Sequence, residues 1–150
     1  MKRIIVDENK CSGCRVCEAT CSYIHEDAIN PKLSRISIIN TGVLEETPKA
    51  VVCRQCEEPK CADACATGAL SFSNTKQIVI FNEELCVNCG LCASACPYGA
   101  ITLHIIKGSP VKCDLCDGDP SCIKNCTSKA IKLIDSSDEI EVRRKWFGIS

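Results

Sequence analysis

An α+β fold of two interleaved modules, the inner inserted into the outer, is what this sequence of 150 residues predicts. Three observations carry the prediction. Sixteen residues are cysteine, in four groups: Cys11, Cys14, Cys17, Cys21; Cys53, Cys56, Cys61, Cys65; Cys86, Cys89, Cys92, Cys96; and Cys113, Cys116, Cys122, Cys126. Groups one and three share the spacing C-x2-C-x2-C-x3-C, while groups two and four have a middle gap of four and five residues. Short β-rich runs stand before groups one and three, and matching runs follow groups two and four, as expected of duplicated units.

The spacing of groups one and three is that of the bacterial ferredoxin run, and group three continues into Pro97. In that run three thiolates hold one iron–sulfur cluster and the fourth reaches a second cluster. Four such groups supply ligands for four [4Fe–4S] clusters with no cysteine left over. The two fused modules are therefore expected to be ferredoxin-like, each of the 2[4Fe-4S] kind, and the chain is expected to conduct electrons.

Two other uses of cysteine fit less well. A disulfide framework needs an oxidising compartment, and Ile4-Ile5-Val6 is only three apolar residues before Asp7, far short of the ~7–15 of a signal-peptide core. Arg143-Arg144 lies at the wrong end for a twin-arginine signal. Structural zinc sites usually combine two C-x2-C pairs a dozen or more residues apart. Here three cysteines crowd together, with the fourth one helical turn beyond.

Composition narrows the function further. Aromatic residues make up only 4% of the chain, so the clusters are expected to stand in for a large apolar core, and the apoprotein to be largely unfolded. No apolar run is long enough for a transmembrane helix. A cytoplasmic, oxygen-poor setting is the expectation. The formal charge is −1; loading replaces sixteen neutral thiols by thiolates while each oxidised cubane core returns about +2, leaving roughly −9. That argues against a nucleic-acid-binding face.

In chain order, Lys2–Lys10 leads as a β-rich run into group one, and Lys76–Leu85 leads likewise into group three. Gly68–Phe72 follows group two and Lys129–Ile134 follows group four. Groups two and four also share an acidic, proline-bearing insert, Glu57–Lys60 and Asp117–Ser121. Between groups two and three, Leu70–Ser73 turns at Asn74-Thr75 and returns as Gln77–Phe81, a hairpin by its turn chemistry. By the repeat, the strand after group four pairs with the strand before group one. The outer module is then residues 1–21 plus 110–150, the inner module is 53–109, and 22–52 is an insertion for docking a partner. Pairing one with two and three with four is the alternative, and it would need Ser22–Val52 to replace the hairpin.

The crossover rule then assigns the ligands. One outer cluster takes Cys11, Cys14, Cys17 and Cys126, and the other takes Cys21, Cys113, Cys116 and Cys122. One inner cluster takes Cys53, Cys56, Cys61 and Cys96, and the other takes Cys65, Cys86, Cys89 and Cys92. The residues before each fourth cysteine, such as Ala62-Asp63-Ala64 and Ala93-Ser94-Ala95, suit a short helix whose backbone N–H groups face the cluster sulfurs. Gly13, Gly90 and Gly99 permit positive φ or close backbone approach.

Ser22–Val52 reads as a loop with one strand, Arg35–Ile39, and a turn near Thr41-Gly42. His25 reads as a hydrogen-bonded loop residue, since no catalytic constellation stands beside it, and His104 as a strand residue. Lys112, next to Cys113, is either a tuning charge or a solvated side chain. The tail Glu139–Ser150 becomes basic and aromatic at Arg143–Phe147, with the only tryptophan at Trp146, which suits burial against another subunit or against its own surface.

The order of the four groups, with longer gaps in two and four, resembles the small iron–sulfur subunits of modular oxidoreductases. The resemblance spans residues 1–135 and implies the nested ligand sets above. Related chains accompany molybdopterin enzymes such as formate dehydrogenase and dimethyl sulfoxide reductase, and carbon monoxide dehydrogenase and hydrogenases. The stretch Cys21–Glu26 through Asn30–Ile36 is most similar to subunits accompanying tungsten-dependent aldehyde oxidoreductases, with benzoyl-CoA reductases beside them. The resemblance implies a non-catalytic subunit relaying single electrons for a tungsten- or molybdenum-pterin catalytic partner, with a flavin subunit or a soluble ferredoxin as acceptor, and neither nucleic acid nor direct membrane insertion. A free polyferredoxin is the competing class. Neither version has a nucleotide-binding glycine motif or a nucleophile–base pair of its own. Anaerobically prepared protein is expected to contain roughly 16 iron and 16 labile sulfide per chain, four of each per cubane; a folded, colourless, zinc-loaded preparation would overturn the reading.

Overall fold

The computed structural model describes residues 1–44 and 46–148. Its framework is four separate two-stranded antiparallel ribbons with short helices between them. Strand β1 (Lys2–Val6) precedes group one, and helix α1 (Val16–Glu26) carries Cys17 and Cys21. A hairpin of β2 (Ile36–Thr41) and β3 (Thr47–Val52) follows, then α2 (Lys60–Asp63). Strands β4 (Leu70–Ser73) and β5 (Ile78–Phe81) lead to α3 (Leu91–Ala95), then β6 (Thr102–Leu103) and β7 (Pro110–Val111). Helix α4 (Ser121–Lys124), β8 (Ile131–Asp135) and α5 (Glu139–Phe147) complete the chain. No helix among the described residues is long and apolar enough to cross a membrane.

The chain ends meet in one ribbon. β1 pairs with β8 from Lys2↔Asp135 to Val6↔Ile131, burying Ile4, Ile5 and Ile131. β4 and β5 pair from Leu70↔Phe81 to Ser73↔Ile78, with Gln77 at the turn in the left-handed region, φ 56°. The two ribbons use the same device to enter a cysteine group. Asp7 N–H donates to Ala130 O and Asn82 N–H to Ala69 O, both at 2.8 Å. The Asp7 and Asn82 side chains then accept from the N–H groups of Asn9 and Glu84 at 3.1 and 3.0 Å. Such side-chain-to-backbone turns deliver the chain to the first cysteine in a defined direction.

The region after Cys21 is more ordered than the loop its polar, proline-bearing sequence suggests. Helix α1 continues through Cys21 to Glu26 and ends at Asp27, whose φ is 51°. The strand expected at Arg35–Ile39 is β2, and it has a partner that the sequence reading missed. Pro48 lies inside β3; proline lacks a donor and is tolerated because the ribbon has only two strands, so β3 is an edge. The register runs from Ile36↔Val52 to Thr41↔Thr47.

Buried polar groups tie this hairpin to α1. Glu18 is 2% exposed; its carboxylate accepts from Ile38 N–H at 2.6 Å and from the Arg15 guanidinium at 3.0 Å. Ser22, fully buried, donates to Ala19 O and accepts from Asn30 N–H. Ile36, Ile38 and Val52 join Ile4, Ile78, Ile131 and six buried cysteines in one core.

The tail forms a helix, α5. Glu139 receives Arg3 at 3.0 Å and Arg143 at 2.8 Å, and Lys132 of β8 stands 5.0 Å from the Trp146 ring centroid. Helix α5 thus packs on its own β1–β8 ribbon. The Phe147 side chain and residues Ile149 and Ser150 lie outside the described residues, so the expectation of tail burial is answered only as far as Trp146.

Replacing Glu18 by Ala strands the buried Ile38 N–H and is expected to cost about 1.5–3 kcal/mol, with Glu18→Gln losing less because an acceptor oxygen remains. Anaerobic urea unfolding of the loaded protein measures the difference.

Candidate iron–sulfur centres

All sixteen cysteines are free. Each group begins with the same backbone device. The residue two positions after its first cysteine has positive φ: Gly13 at 72°, Gln55 at 48°, Asn88 at 57° and Leu115 at 59°. A left-handed residue between right-handed or extended ones makes a concavity of N–H groups that suits an anion or an iron–sulfur centre. Two of these N–H groups already point at the first sulfur: Gln55 N to Cys53 Sγ at 3.5 Å and Asn88 N to Cys86 Sγ at 3.4 Å. For Gln55 and Leu115 the conformation costs ~1–2 kcal/mol each, so the surrounding structure must impose it. Glycine alone does not reveal this repeat, because only one of the four positions holds glycine.

The expected glycines behave as described for the sequence, with φ of 72°, 74° and 61° at Gly13, Gly90 and Gly99. At Gly13 a Cβ would lie 3.0 Å from Pro48 Cβ, because the β2–β3 hairpin covers the group-one loop. Helices α2, α3 and α4 each hold a third cysteine and end just before the fourth. Gly68, Gly99 and Lys129, three residues after a fourth cysteine, all have positive φ and donate to that cysteine's carbonyl at 3.2–3.3 Å.

Three cavities each gather four cysteines. One is lined by Cys21, Cys113, Cys116 and Cys122. A second is lined by Cys65, Cys86, Cys89 and Cys92. The third is lined by Cys53, Cys56, Cys61 and Cys96. In each case three sulfurs come from one group and one from another. Of the remaining four, Cys17 and Cys126 share the main core, and Cys11 packs against it. Cys14 and Cys89 are exposed.

The chemistry of this donor set fits a cationic centre. Burial pushes the thiols of Cys17 and Cys122 up to about 12 and that of Cys61 to about 11, and it raises Cys113 as well. At Cys21 burial also acts upward, but hydrogen bonds from His25, the Arg35 N–H and Ser34 outweigh it and hold the thiol below its usual value. Buried sulfurs that resist ionisation alone become thiolates when coordinated, since the metal charge inverts the local preference. Converging free cysteines with N–H groups turned toward sulfur therefore fit [4Fe–4S] clusters.

His25 differs from the loop residue expected. It lies in the last turn of α1, because the helix runs one turn past Cys21. Its Nδ1 is 2.9 Å from Cys21 O and its Nε2 is 3.1 Å from Asp114 Oδ1, with Cys116 Sγ at 4.0 Å. Asp114, then Cys116 and Cys21, raise its pKa, and the ring sits against the cavity lined by Cys21 and Cys116. Asp114 is also caught by Cys116 N–H at 2.9 Å. At Asp114 burial acts upward, but the hydrogen bonds from His25 and Cys116 outweigh it and hold the carboxyl well below the usual range.

His104 lies just past β6, not in a strand. Its Nδ1 accepts from the N–H groups of Ile106 and Lys107, closing a turn, and its Nε2 faces Glu26 at 3.5 Å. Lys112 is not solvated: it is 6% exposed and donates to Val79 O, Cys113 O and Gln55 Oε1. Sequence reasoning overlooked Gln55, Asp114 and Arg35, whose spacing carries no signature; their partners come from distant segments.

A 4Fe-4S binding domain family matches residues 79–102. The polyferredoxin-like subunit of aliphatic sulfonate oxidoreductase from Pyrococcus furiosus is 43% identical over 82% of this chain and 70% of its own length. Electron transport protein HydN of Escherichia coli is 36% identical over 88% of this chain and 87% of that protein. The beta subunit of NADH-dependent phenylglyoxylate dehydrogenase from Aromatoleum evansii is 35% identical over 90% of this chain, which spans only 30% of that longer protein. Among solved structures, a chain of the active site complex BamBC of benzoyl coenzyme A reductase superposes with a TM-score of 0.54 at 26% identity, covering 97% of this chain and 88% of that one.

Proposed function

This chain belongs to the family of ferredoxin-like [4Fe–4S] electron-transfer subunits of oxidoreductases, and from that premise we propose that it relays single electrons through four [4Fe–4S] clusters held in two nested modules. The observation that carries the reading is the composition of the cavities, each joining three cysteines of one group to the fourth of another. The inner pair of ligand sets is Cys53, Cys56, Cys61, Cys96 and Cys65, Cys86, Cys89, Cys92. The outer pair is Cys21, Cys113, Cys116, Cys122 and Cys11, Cys14, Cys17, Cys126. The β1–β8 and β4–β5 ribbons support modules of residues 1–21 with 110–150 and of 53–109. Residues 22–52 form a docking insertion, whose tip exposes Val43 and Leu44.

The clusters, when bound, exchange one electron at a time. The protein's part is to hold sixteen sulfurs in place, to keep water from the buried ones and to set the local charge. Exposed Cys14 and Cys89 are the ligands that outside donors and acceptors can approach most closely. The resemblance of the Cys21–Ile36 stretch to tungsten-enzyme subunits, together with the likeness to a chain of the benzoyl coenzyme A reductase complex, supports a tungsten- or molybdenum-pterin catalytic partner. A flavin subunit or soluble ferredoxin then serves as the second partner.

Two experiments test this reading. Changing Cys126 to Ser is expected to damage the cluster of Cys11, Cys14 and Cys17 while leaving the inner pair spectroscopically intact, and Cys96→Ser to damage the cluster of Cys53, Cys56 and Cys61. A Cys126 effect on the cluster of Cys86, Cys89 and Cys92 instead supports the sequential pairing. Native protein purified without oxygen is expected to elute with a larger catalytic subunit containing tungsten or molybdenum. If it elutes alone and serves unrelated enzymes at equal rates, it is a free polyferredoxin.

A further inference from the structure

We propose that the buried ammonium of Lys112 is a tuning charge at the junction of the two modules, raising the reduction potentials of the two clusters that flank it. This rests on the ligand sets proposed above. Lys112 lines the cavity of Cys53, Cys56, Cys61 and Cys96. It also adjoins Cys113, which lines the cavity of Cys21, Cys113, Cys116 and Cys122. The side chain therefore borders an inner cluster cavity directly and touches an outer ligand residue through the hydrogen bond from Nζ to Cys113 O at 2.9 Å.

Its charge state follows from its contacts. Nζ has three acceptor oxygens around it: Val79 O at 2.8 Å, Cys113 O at 2.9 Å and Gln55 Oε1 at 3.3 Å. An ammonium has three donors and no acceptor, so the site satisfies that form completely. A neutral amine would turn its lone pair on one of these oxygens. Gln55 is fully buried and is itself oriented by its Nε2, which donates to Cys113 O at 2.8 Å. The left-handed backbone at Gln55, φ 48°, is thus part of the clamp that aims the lysine. A charge sequestered in this way is screened far less by salt than a surface one.

The sign of the effect is set by electrostatics. Reduction adds one negative charge to a cluster that already carries its thiolates, and a fixed positive charge beside it stabilises the reduced form. Lys112 lines the same cavity as Cys61, and its Nζ lies 2.9 Å from the carbonyl oxygen of Cys113. It therefore stands beside one ligand residue of each flanking set. Lys112 lines neither the cavity of Cys21, Cys113, Cys116 and Cys122 nor that of Cys65, Cys86, Cys89 and Cys92, but it donates to the Cys113 carbonyl of the first set and to no cysteine of the second.

The test is an anaerobic redox titration of the fully loaded protein, followed by electron paramagnetic resonance, on Lys112→Gln, Lys112→Arg and Gln55→Glu. Lys112→Gln is expected to move two of the four cluster signals to lower potential and to leave the other two in place. Lys112→Arg keeps the charge and is expected to titrate close to the parent. Gln55→Glu sets a carboxylate of the same size against the ammonium and is expected to lower the same two signals. Unchanged potentials with full iron content in Lys112→Gln overturn the proposal, as does an equal shift of all four signals. If Lys112→Gln fails to hold iron, Gln55→Glu decides on the same criteria, and cluster loss in both variants assigns Lys112 a purely structural role. A parent protein lacking four clusters would instead defeat the ligand reading itself.

Discussion

Sulfur placement is the constraint on which the rest of this structure depends: four thiols from separate chain segments must face one point, and half of the sixteen do so buried from water. Burial alone makes such thiols poor anions, as the upward displacement of Cys17, Cys61, Cys113 and Cys122 shows. The compensation comes from the metal charge and from backbone N–H groups turned inward. The left-handed residue two places after each leading cysteine supplies that turn. With so few aromatics and ribbons of only two strands, the protein has little else to hold its parts together.

The same requirement explains the buried polar side chains. Glu18 holds the β2–β3 hairpin to α1 through Ile38 N–H, while Gln55 and Lys112 occupy carbonyls of Cys113 and Val79 that no strand partner reaches. Each is satisfied by hydrogen bonds, as burial of a polar group demands. Arg35 and Glu26 extend this polar layer toward His104, so the segment after Cys21 is joined to the β6–β7 turn as well as to α1.

Electron transfer and fold are linked through exposure. Cys14 and Cys89 are accessible, while Cys17, Cys21, Cys53, Cys113 and Cys122 are buried. Around Cys89 the side chains of Leu85, Val87 and Leu91 are exposed, whereas Cys113 and Lys112 are buried.

The sequence alone determined the chemistry: cysteine number and spacing are local, and ligand sets of this kind leave a one-dimensional signature. It also made legible the β4–β5 hairpin, from its turn residues, and the matching β1 and β8, from the repeat. Tertiary structure decided what depends on side chains far apart in the chain. His25 looked like an isolated loop histidine until α1 was seen to run past Cys21 and meet Asp114, and Lys112 was ambiguous until Gln55 and Val79 were seen around it. β3 was hidden because Pro48 disguises an edge strand, and the left-handed turns at Gln55, Asn88 and Leu115 because non-glycine residues hold them. Periodicity and spacing record what neighbours along the chain require of each other, whereas burial and charge pairing belong to segments that meet only when the thiols are drawn together.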